Sequence, residues 1–457
     1  MKVQPAMFRA YDIRGVVGET LTPPIAQALG QAIGSEARAR GERHVLVARD
    51  GRLSSPALCE ALAQGLVEAG CRITDLGLAP TPLLYFGTHV LDGRSGIMVT
   101  GSHNPPQYNG FKIVLAGETL SGEAIHALRR RIEEGRFTSG DGKIERHDLR
   151  GAYLDRIVQD VHLGRRLKVV VDCGNGVAGL VAPDLLRALG CEVVELCCEV
   201  DGSFPHHHPD PSKPENLAGL IATVRREGAD LGVAFDGDGD RLGVVDSAGR
   251  IIWPDRQMML FAADVLSRIP GAEILYDVKC TRHLANEIRK RGGRPLMWKT
   301  GHSLIKAKMK ETGAPLAGEM SGHIFFRERW YGFDDAIYAC ARLLEILAAD
   351  SRPTAEIFAA LPDSVNTPEI NVLLKEGENF TFVERLRELA RFEDAEVTEI
   401  DGLRVDFADG FGLVRASNTT PSLVIRFEAD SPQGLSRIQQ RFREAMWEVR
   451  PDLDLPF

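Results

Sequence analysis

The sequence predicts an α/β protein: three related α/β domains with mixed or parallel sheets, followed by a smaller C-terminal α+β domain. Three observations carry this. Short apolar runs ending in polar turns recur in three sets of three. Segments of helical periodicity lie between them. The last part of the chain changes to apolar/polar alternation around a hairpin signal and then to one long amphipathic stretch.

The first set is "HVLVARDGR", "RITDLGLAPTP" and "GIMVTGSHNPP". The second is "KVVVDCGNG", "EVVELCCEVDGSFP" and "DLGVAFDGDGDR", and the third "EILYDVKCTR", "RPLMWKTGHS" and "PLAGEMSGH". Between runs, Ile125, Leu128 and Ile132 make one apolar helix face, as do Leu217, Leu220, Ile221 and Val224. Strand–helix alternation of this kind gives sheets covered by helices. Ligands bind outside the carboxyl ends of such strands. In each set the third run enters the most chemically loaded loop, so packing of the sets around one point directs those loops into a common cleft. The C-terminal part alternates around Asp409–Gly410, and Leu435, Ile438, Phe442, Met446 and Val449 then share a helix face. Interruptions in the pattern place the domains at 1–149, 150–250, 251–362 and 363–457.

At 457 residues the length suits about three domains. With 44 % hydrophobic and 26 % charged residues the composition is that of a globular chain. The net charge of −9 argues against a nucleic-acid or membrane-surface binder. No segment resembles a signal peptide or a membrane span, and none of the eight cysteines forms a C-x-x-C pair. The expectation is a cytoplasmic protein with reduced, mostly buried thiols, Cys197–Cys198 included.

Four motifs bear on chemistry. "FDGDGDR" puts Asp236, Asp238 and Asp240 at alternate positions. Converging carboxylates repel by a few kcal/mol per pair at an effective dielectric of about 20. A hard cation such as Mg²⁺ or Ca²⁺ removes that repulsion. An EF-hand loop would need Gly and Glu where Arg241 and Ser247 stand. Three acids at alternate positions beside an apolar strand also argue against a mere solvated turn. "GNGVAG" (Gly174 to Gly179) matches a dinucleotide fingerprint, with Glu195 about twenty residues on. Asp172 at the strand end would repel a pyrophosphate, and hydride transfer leaves the carboxylate loop without a role, so an NAD-dependent oxidoreductase is the distant alternative. "HHH" (His206 to His208) invites a zinc reading, but three consecutive histidines seldom reach one ion, and an interdomain loop is expected. Ser102, in "TGSHNPP", is by itself equally a nucleophile, a metal ligand or a turn residue.

Together "TGSHNPP", "DGDGDR", "GEMSGH" and "RASNTTP" resemble, in order, the phosphoserine, magnesium, sugar and phosphate loops of the α-D-phosphohexomutase family. The match is to its bacterial bifunctional phosphomannomutase/phosphoglucomutase type and covers essentially the whole chain. The resemblance implies four domains around a deep cleft. It also implies reversible phosphoryl transfer between O1 and O6 of mannose and glucose phosphates, through a phosphoserine and a hexose 1,6-bisphosphate intermediate or activator. Ser102 would carry the phosphoryl group and, through it, meet Mg²⁺ held by Asp236, Asp238 and Asp240. Arg14, His103, Lys112 and Arg241 would line the reacting end, and His302 or Lys279 would serve as general acid/base. Glu319 and Ser321 would read the sugar hydroxyls, with Met320, Gly322 and His323 in the same loop and Thr300 and Gly301 beside it. Arg415, Ser417, Asn418 and Thr419 would bind the far phosphate, and Tyr11 would line the cleft. Gly101 would leave room for the phosphoryl group, with Pro105 and Pro106 limiting the loop. Partners would be small hexose phosphates, with no nucleic acid or membrane, in a monomer or homodimer. Phosphoglucosamine and glucose-only mutases are the alternatives within the family.

Overall fold

The computed structural model describes residues 1–418 and 420–457. Its three sequence sets become three sheets of one topology. In the first domain His44–Arg49 is flanked in parallel by Arg72–Leu78 and Ser95–Val99, and Tyr108–Leu115 joins Ser95–Val99 antiparallel. In the second, Lys168–Asp172 is flanked by Glu192–Leu196 and Leu231–Phe235, with Leu242–Asp246 antiparallel beyond. In the third, Glu273–Asp277 is flanked by Arg294–Trp298 and Leu316–Gly318, with Ile324–Phe326 antiparallel beyond. Each sheet is therefore mixed. The sequence motifs found three strands per unit; the fourth, antiparallel strand is the one the pattern did not separate.

That fourth strand fixes the chemistry. The connections 100–107, 236–241 and 319–323 each leave a third, parallel strand and return as its antiparallel neighbour. The loaded loops thus all leave the carboxyl ends of parallel strands, where an open α/β sheet binds ligands. Helices cover the sheets. Ile125, Leu128 and Ile132 are buried on Glu123–Glu134, and Leu220 and Val224 on Ala218–Glu227. Helix Ala336–Ala348 starts at Asp335, whose carboxylate accepts from the Tyr338 N–H at 2.8 Å.

One continuous apolar core joins the first three domains. It runs through Leu46, Phe86, Tyr153, Val169, Phe261 and Trp330. Trp330 stacks on Tyr338 with ring centroids 4.2 Å apart. The fourth domain has its own core, in which helices Glu378–Leu389 and Pro432–Val449 pack on an antiparallel sheet through Phe382, Leu386, Ile438, Phe442 and Met446. It meets the third through a small cluster, Val278, Phe411 and Leu413. Its hairpin differs by one residue from the sequence reading. Phe407 pairs with Gly410, so the turn centres on Ala408 and Asp409, and Gly410 already belongs to the strand. Among the described residues no helix is long and apolar enough to cross a membrane. All eight cysteines are free, seven of them buried and Cys197 half-buried. Cys197 and Cys198 lie just past the strand Glu192–Leu196 rather than in it.

Candidate active site

Ser102 sits at the tip of its loop with φ +49°, a left-handed conformation rare for a non-glycine residue, and is buried. Its N–H donates to Thr100 Oγ1 at 2.8 Å and its hydroxyl to Asp236 Oδ2 at 2.8 Å. His103 Nδ1 lies 3.1 Å from the same hydroxyl. Arg241 Nη1 approaches His103 Nε2 at 3.4 Å. An arginine only donates, so its neighbourhood assigns the imidazole proton to Nδ1, facing Ser102. Burial, then the charges of Arg241 and Arg14, hold His103 well below the usual imidazole range, in its neutral form.

The loop is pinned by Arg52, which sequence reasoning did not find. Its guanidinium donates to the carbonyls of Ser102 (2.7 Å), Asn104 (2.6 Å), Pro105 (2.8 Å) and Tyr108 (3.0 Å). This also corrects the reading of Gly101. A Cβ there would lie 2.3 Å from Arg52 Nε, so the glycine admits the guanidinium rather than a phosphoryl group. Asp50 completes the frame, accepting from the Gly101 N–H (3.0 Å) and Thr100 Oγ1 (2.8 Å).

Asp236, Asp238 and Asp240 are fully buried, and one oxygen of each lies within 4.8 Å of the others. Asp236 Oδ1 accepts three loop N–H groups, of Gly239, Asp240 and Arg241, each at 3.1 Å. Asp238 accepts from Lys112 Nζ at 2.7 Å, and the same ammonium pairs with Asp240. A Cβ on Gly237 would lie 2.4 Å from the Ser102 carbonyl, so a glycine here lets the two loops touch. Burial, then the Asp238 and Asp240 charges, push the Asp236 carboxyl well above its usual range. Among the described residues Asp238 Oδ1 is buried without a hydrogen-bond partner, and Asp240 Oδ1 has only the His323 ring nitrogen, at 3.3 Å. An under-satisfied, all-oxygen donor set of this kind fits a hard divalent cation such as Mg²⁺.

The third loop joins this cluster through His323. Its Nε2 lies 3.3 Å from Asp240 Oδ1 and its Nδ1 3.0 Å from both Glu319 Oε2 and Ser321 Oγ. Burial opposes its charge, but Asp240 and Glu319 outweigh that and raise it to about 9. His302 lies 5.6 Å away, ring to ring. Burial, then Lys306 and Lys112, hold it well below the usual range. Its Nδ1 faces Asp334 Oδ2 at 3.5 Å, and Lys306 Nζ takes the other oxygen at 2.8 Å. Two neighbouring imidazoles are thus pushed in opposite directions. Glu319 also accepts the Gly301 N–H. Gly301 has φ +134°, and a Cβ there would meet the Tyr11 ring at 2.6 Å.

The remaining candidates come from the first, third and fourth domains. Tyr11 donates to the Thr300 carbonyl at 2.8 Å and accepts from Asn418 Nδ2. The Met320 N–H reaches Asp277 Oδ1 at 3.2 Å. Gly322, at φ +101°, turns the loop beside Arg241. Arg14 pairs with Asp12 at 2.6 Å and donates to Asn104 Oδ1 at 2.7 Å. Lys279 pairs with Glu369 at 3.1 Å; burial opposes its charge, but Glu369 and Asp277 raise it above the ordinary lysine value. Arg415 donates to Asp401 at 3.0 Å, and Ser417 Oγ accepts from Thr420. Thr419 lies outside the described residues. The dinucleotide-like turn is occupied by protein: Asp172 accepts the Gly174 N–H at 2.9 Å and faces His207, and the Val177 N–H donates to the Gly237 carbonyl. The three consecutive histidines point at three different partners, Asn175, Asp172 and the His103 carbonyl.

Models of the four phosphoglucomutase/phosphomannomutase domains match residues 5–139, 151–249, 253–365 and 369–445, three α/β/α domains and a C-terminal domain. The phosphomannomutase/phosphoglucomutase of Pseudomonas aeruginosa is 60 % identical over 452 residues, covering 99 % of this chain and 98 % of that protein. The phosphoglucomutase of Neisseria gonorrhoeae is 54 % identical, with 98 % of each covered. The crystal structure of a phosphoglucomutase/phosphomannomutase family protein from Burkholderia thailandensis superposes with a TM-score of 0.95 at 55 % identity, covering 100 % of each. The chain belongs to the phosphoglucomutase/phosphomannomutase family.

Proposed function

We propose that this enzyme interconverts the 1- and 6-phosphates of mannose and of glucose, through a phosphorylated Ser102 and a hexose 1,6-bisphosphate that turns over within the cleft. One observation carries the reading: a buried serine, alone at a loop tip, donates at 2.8 Å into a loop of three buried aspartates. In the resting enzyme the phosphoryl group rests on Ser102 Oγ. A substrate hydroxyl attacks phosphorus, the bond to Ser102 breaks, and the bond to the sugar forms. His302, neutral, accepts the hydroxyl proton. His103, with its proton on Nδ1, supports the departing serine oxygen. Placed proton donors and acceptors of this kind contribute ~10²–10⁴ in rate. Mg²⁺ held by Asp236, Asp238 and Asp240 would supply charge neutralisation for the transferring group, which phosphoryl transfer needs more than covalent chemistry. His323, 5.6 Å from His302 ring to ring, would be the second imidazole at the reacting end.

Arg14, Lys112, Arg241 and Lys279 supply fixed positive charge. Arg415, Ser417 and Asn418 hold the phosphate that is not transferring. Glu319 and Ser321 read the 3- and 4-hydroxyls; mannose and glucose differ only at C2, so such a site accepts both. The reading includes a cytoplasmic monomer or homodimer. A glucose-only activity is the second reading, favoured by the name of the 54 % identical Neisseria relative.

Intact-mass analysis tests the covalent step. A species about 80 Da heavier than the bare chain, one phosphoryl group, is expected as isolated or after incubation with hexose 1,6-bisphosphate, and is absent from Ser102→Ala. Its absence both before and after incubation would overturn the mechanism. Parallel assays with mannose 1-phosphate and glucose 1-phosphate, each with and without Mg²⁺, decide between the two substrate readings.

A further inference from the structure

The second domain brings a different set of ligating atoms together behind the carboxylate loop. Asp172 ends the strand Lys168–Asp172, and Cys197 follows the adjacent strand Glu192–Leu196, whose Leu196 pairs with Asp172. His207 comes from the histidine run. One ligand atom of each lies within 4.8 Å of the others. Asp172 is buried, while Cys197 and His207 are half-buried and so reachable from solvent.

The imidazole of His207 is the informative group. Its Nδ1 lies 3.0 Å from the His208 carbonyl, and its Nε2 lies 3.0 Å from both oxygens of Asp172. Neither partner can donate. A neutral imidazole carries one N–H, so its other lone pair would face an acceptor. The ring must therefore hold a second proton or lend Nε2 to a cation. A backbone carbonyl that fixes Nδ1–H and leaves the Nε2 lone pair for a cation is a usual arrangement of a metal-binding histidine.

We propose that Asp172, Cys197 and His207 form a binding site for a soft divalent cation of the Zn²⁺ class, distinct from the Asp236–Asp238–Asp240 site. Mixed sulfur, nitrogen and oxygen donors select Zn²⁺ over Mg²⁺, whereas the all-carboxylate loop prefers the hard ion. Tetrahedral ligands of zinc stand roughly 3–4 Å apart, so the 3.0 Å Asp172–His207 separation is close to final and Cys197 needs only a small side-chain shift. Three protein ligands leave a fourth position open to water. Protons balance as follows. Burial, then Asp172, pushes the Cys197 thiol up to about 11, and hydrogen bonding to Asp172 raises His207. Where both groups carry a proton, binding one ion releases both, leaving a thiolate and a neutral imidazole on the metal. Affinity therefore rises with pH.

The experiment uses the full chain in saturating Mg²⁺, which fills the carboxylate loop. Co²⁺ is titrated as a spectroscopic stand-in for Zn²⁺. One equivalent should produce a thiolate-to-cobalt charge-transfer band, and one equivalent of Zn²⁺ should remove it. Because the other seven cysteines are buried, that band reports Cys197. Calorimetry in two buffers of different ionisation enthalpy should give two protons released per ion. Cys197→Ser should abolish the band and weaken Zn²⁺ binding by about tenfold or more, and His207→Gln should weaken it comparably. Cys197→Ser is nearly isosteric at a half-exposed position, so its metal-free melting point should match the unmodified protein and keep the test valid should His207→Gln unfold. No charge-transfer band, equal Zn²⁺ affinity in Cys197→Ser, or simple competition of Zn²⁺ with Mg²⁺ would overturn the site.

Discussion

Arg52 Nη2 donates to the carbonyl of Ser102 at 2.7 Å, which ties the proposed nucleophile to a side chain fifty residues earlier. The same guanidinium holds three further carbonyls of the loop. Only a planar fork with five N–H groups can do this, and a lysine cannot. Arg52→Lys should lose about 3–5 kcal/mol of unfolding free energy, because buried carbonyls are left unpaired. Its kcat should fall at least ~10-fold, as Ser102 drifts from the position set by the loop. Urea unfolding and steady-state kinetics check this. A folded lysine variant with unchanged kcat would show that the loop holds itself.

Lys112 Nζ bridges Asp238 and Asp240, two of the three proposed metal ligands. Its ammonium therefore competes with a divalent cation for the same oxygens. Lys112→Met should bind Mg²⁺ about tenfold more tightly, since a fixed positive charge is removed from beside the ion. It should still lose ~10²-fold or more in kcat, because in the proposed mechanism that charge would also face the transferring phosphoryl group. Calorimetry and kinetics measure the two effects separately. Weaker Mg²⁺ binding would mean that Lys112 supports the ion rather than opposing it.

The two findings differ in how far the sequence reveals them. Asp236, Asp238 and Asp240 are legible because one short loop carries all three, so spacing alone implies a cation. The three parallel strands of each unit are legible because apolar runs alternate with helices. The antiparallel fourth strand is not: Tyr108–Leu115 and Ile324–Phe326 follow loops whose chemistry draws the eye, and Leu242–Asp246 continues the aspartate motif. Arg52 leaves no signal, since its partners are backbone carbonyls, which any residues provide. Gly101 was misread for the same reason, its neighbour being a distant guanidinium. His323 reads as part of a sugar loop, but the fold turns its ring onto Asp240. Only the packing of the second domain against the third creates that contact.

His302 is kept neutral by burial and by Lys306 and Lys112. Acting as a base, it should sustain kcat/KM below pH 6.5, the range where a free imidazole gains its proton. Lys306→Met removes a lowering charge and also leaves Asp334 free to pair with His302. Both effects favour the imidazolium, so the acid limb of the profile should move up by about one pH unit. A profile that does not move, in a variant that keeps its fold, would remove His302 from the proton-transfer role.

Three consecutive carbonyls of the segment carrying Lys279 are held by arginines of the fourth domain. Arg404 Nη1 donates to Val278 O at 2.7 Å and to Cys280 O at 2.8 Å, and Arg426 Nη1 donates to Lys279 O. Arg404 is itself fixed by both oxygens of Asp406 and lies over the Phe411 ring at 3.8 Å. The domain that carries Arg415 thus also sets the backbone of Lys279, which keeps the two charges in one frame. Lys279 is paired with Glu369 and its charge is favoured there, which suits the proposed role of fixed charge for a phosphate rather than that of a proton carrier. Arg404→Gln should then raise KM for the hexose phosphate about tenfold and change kcat less. Arg404→Lys should not rescue it, because one ammonium cannot reach both carbonyls while also pairing with both oxygens of Asp406 and stacking on Phe411. If kcat falls while KM is unchanged, Lys279 acts on the transition state, and the acid/base role passes to it from His302.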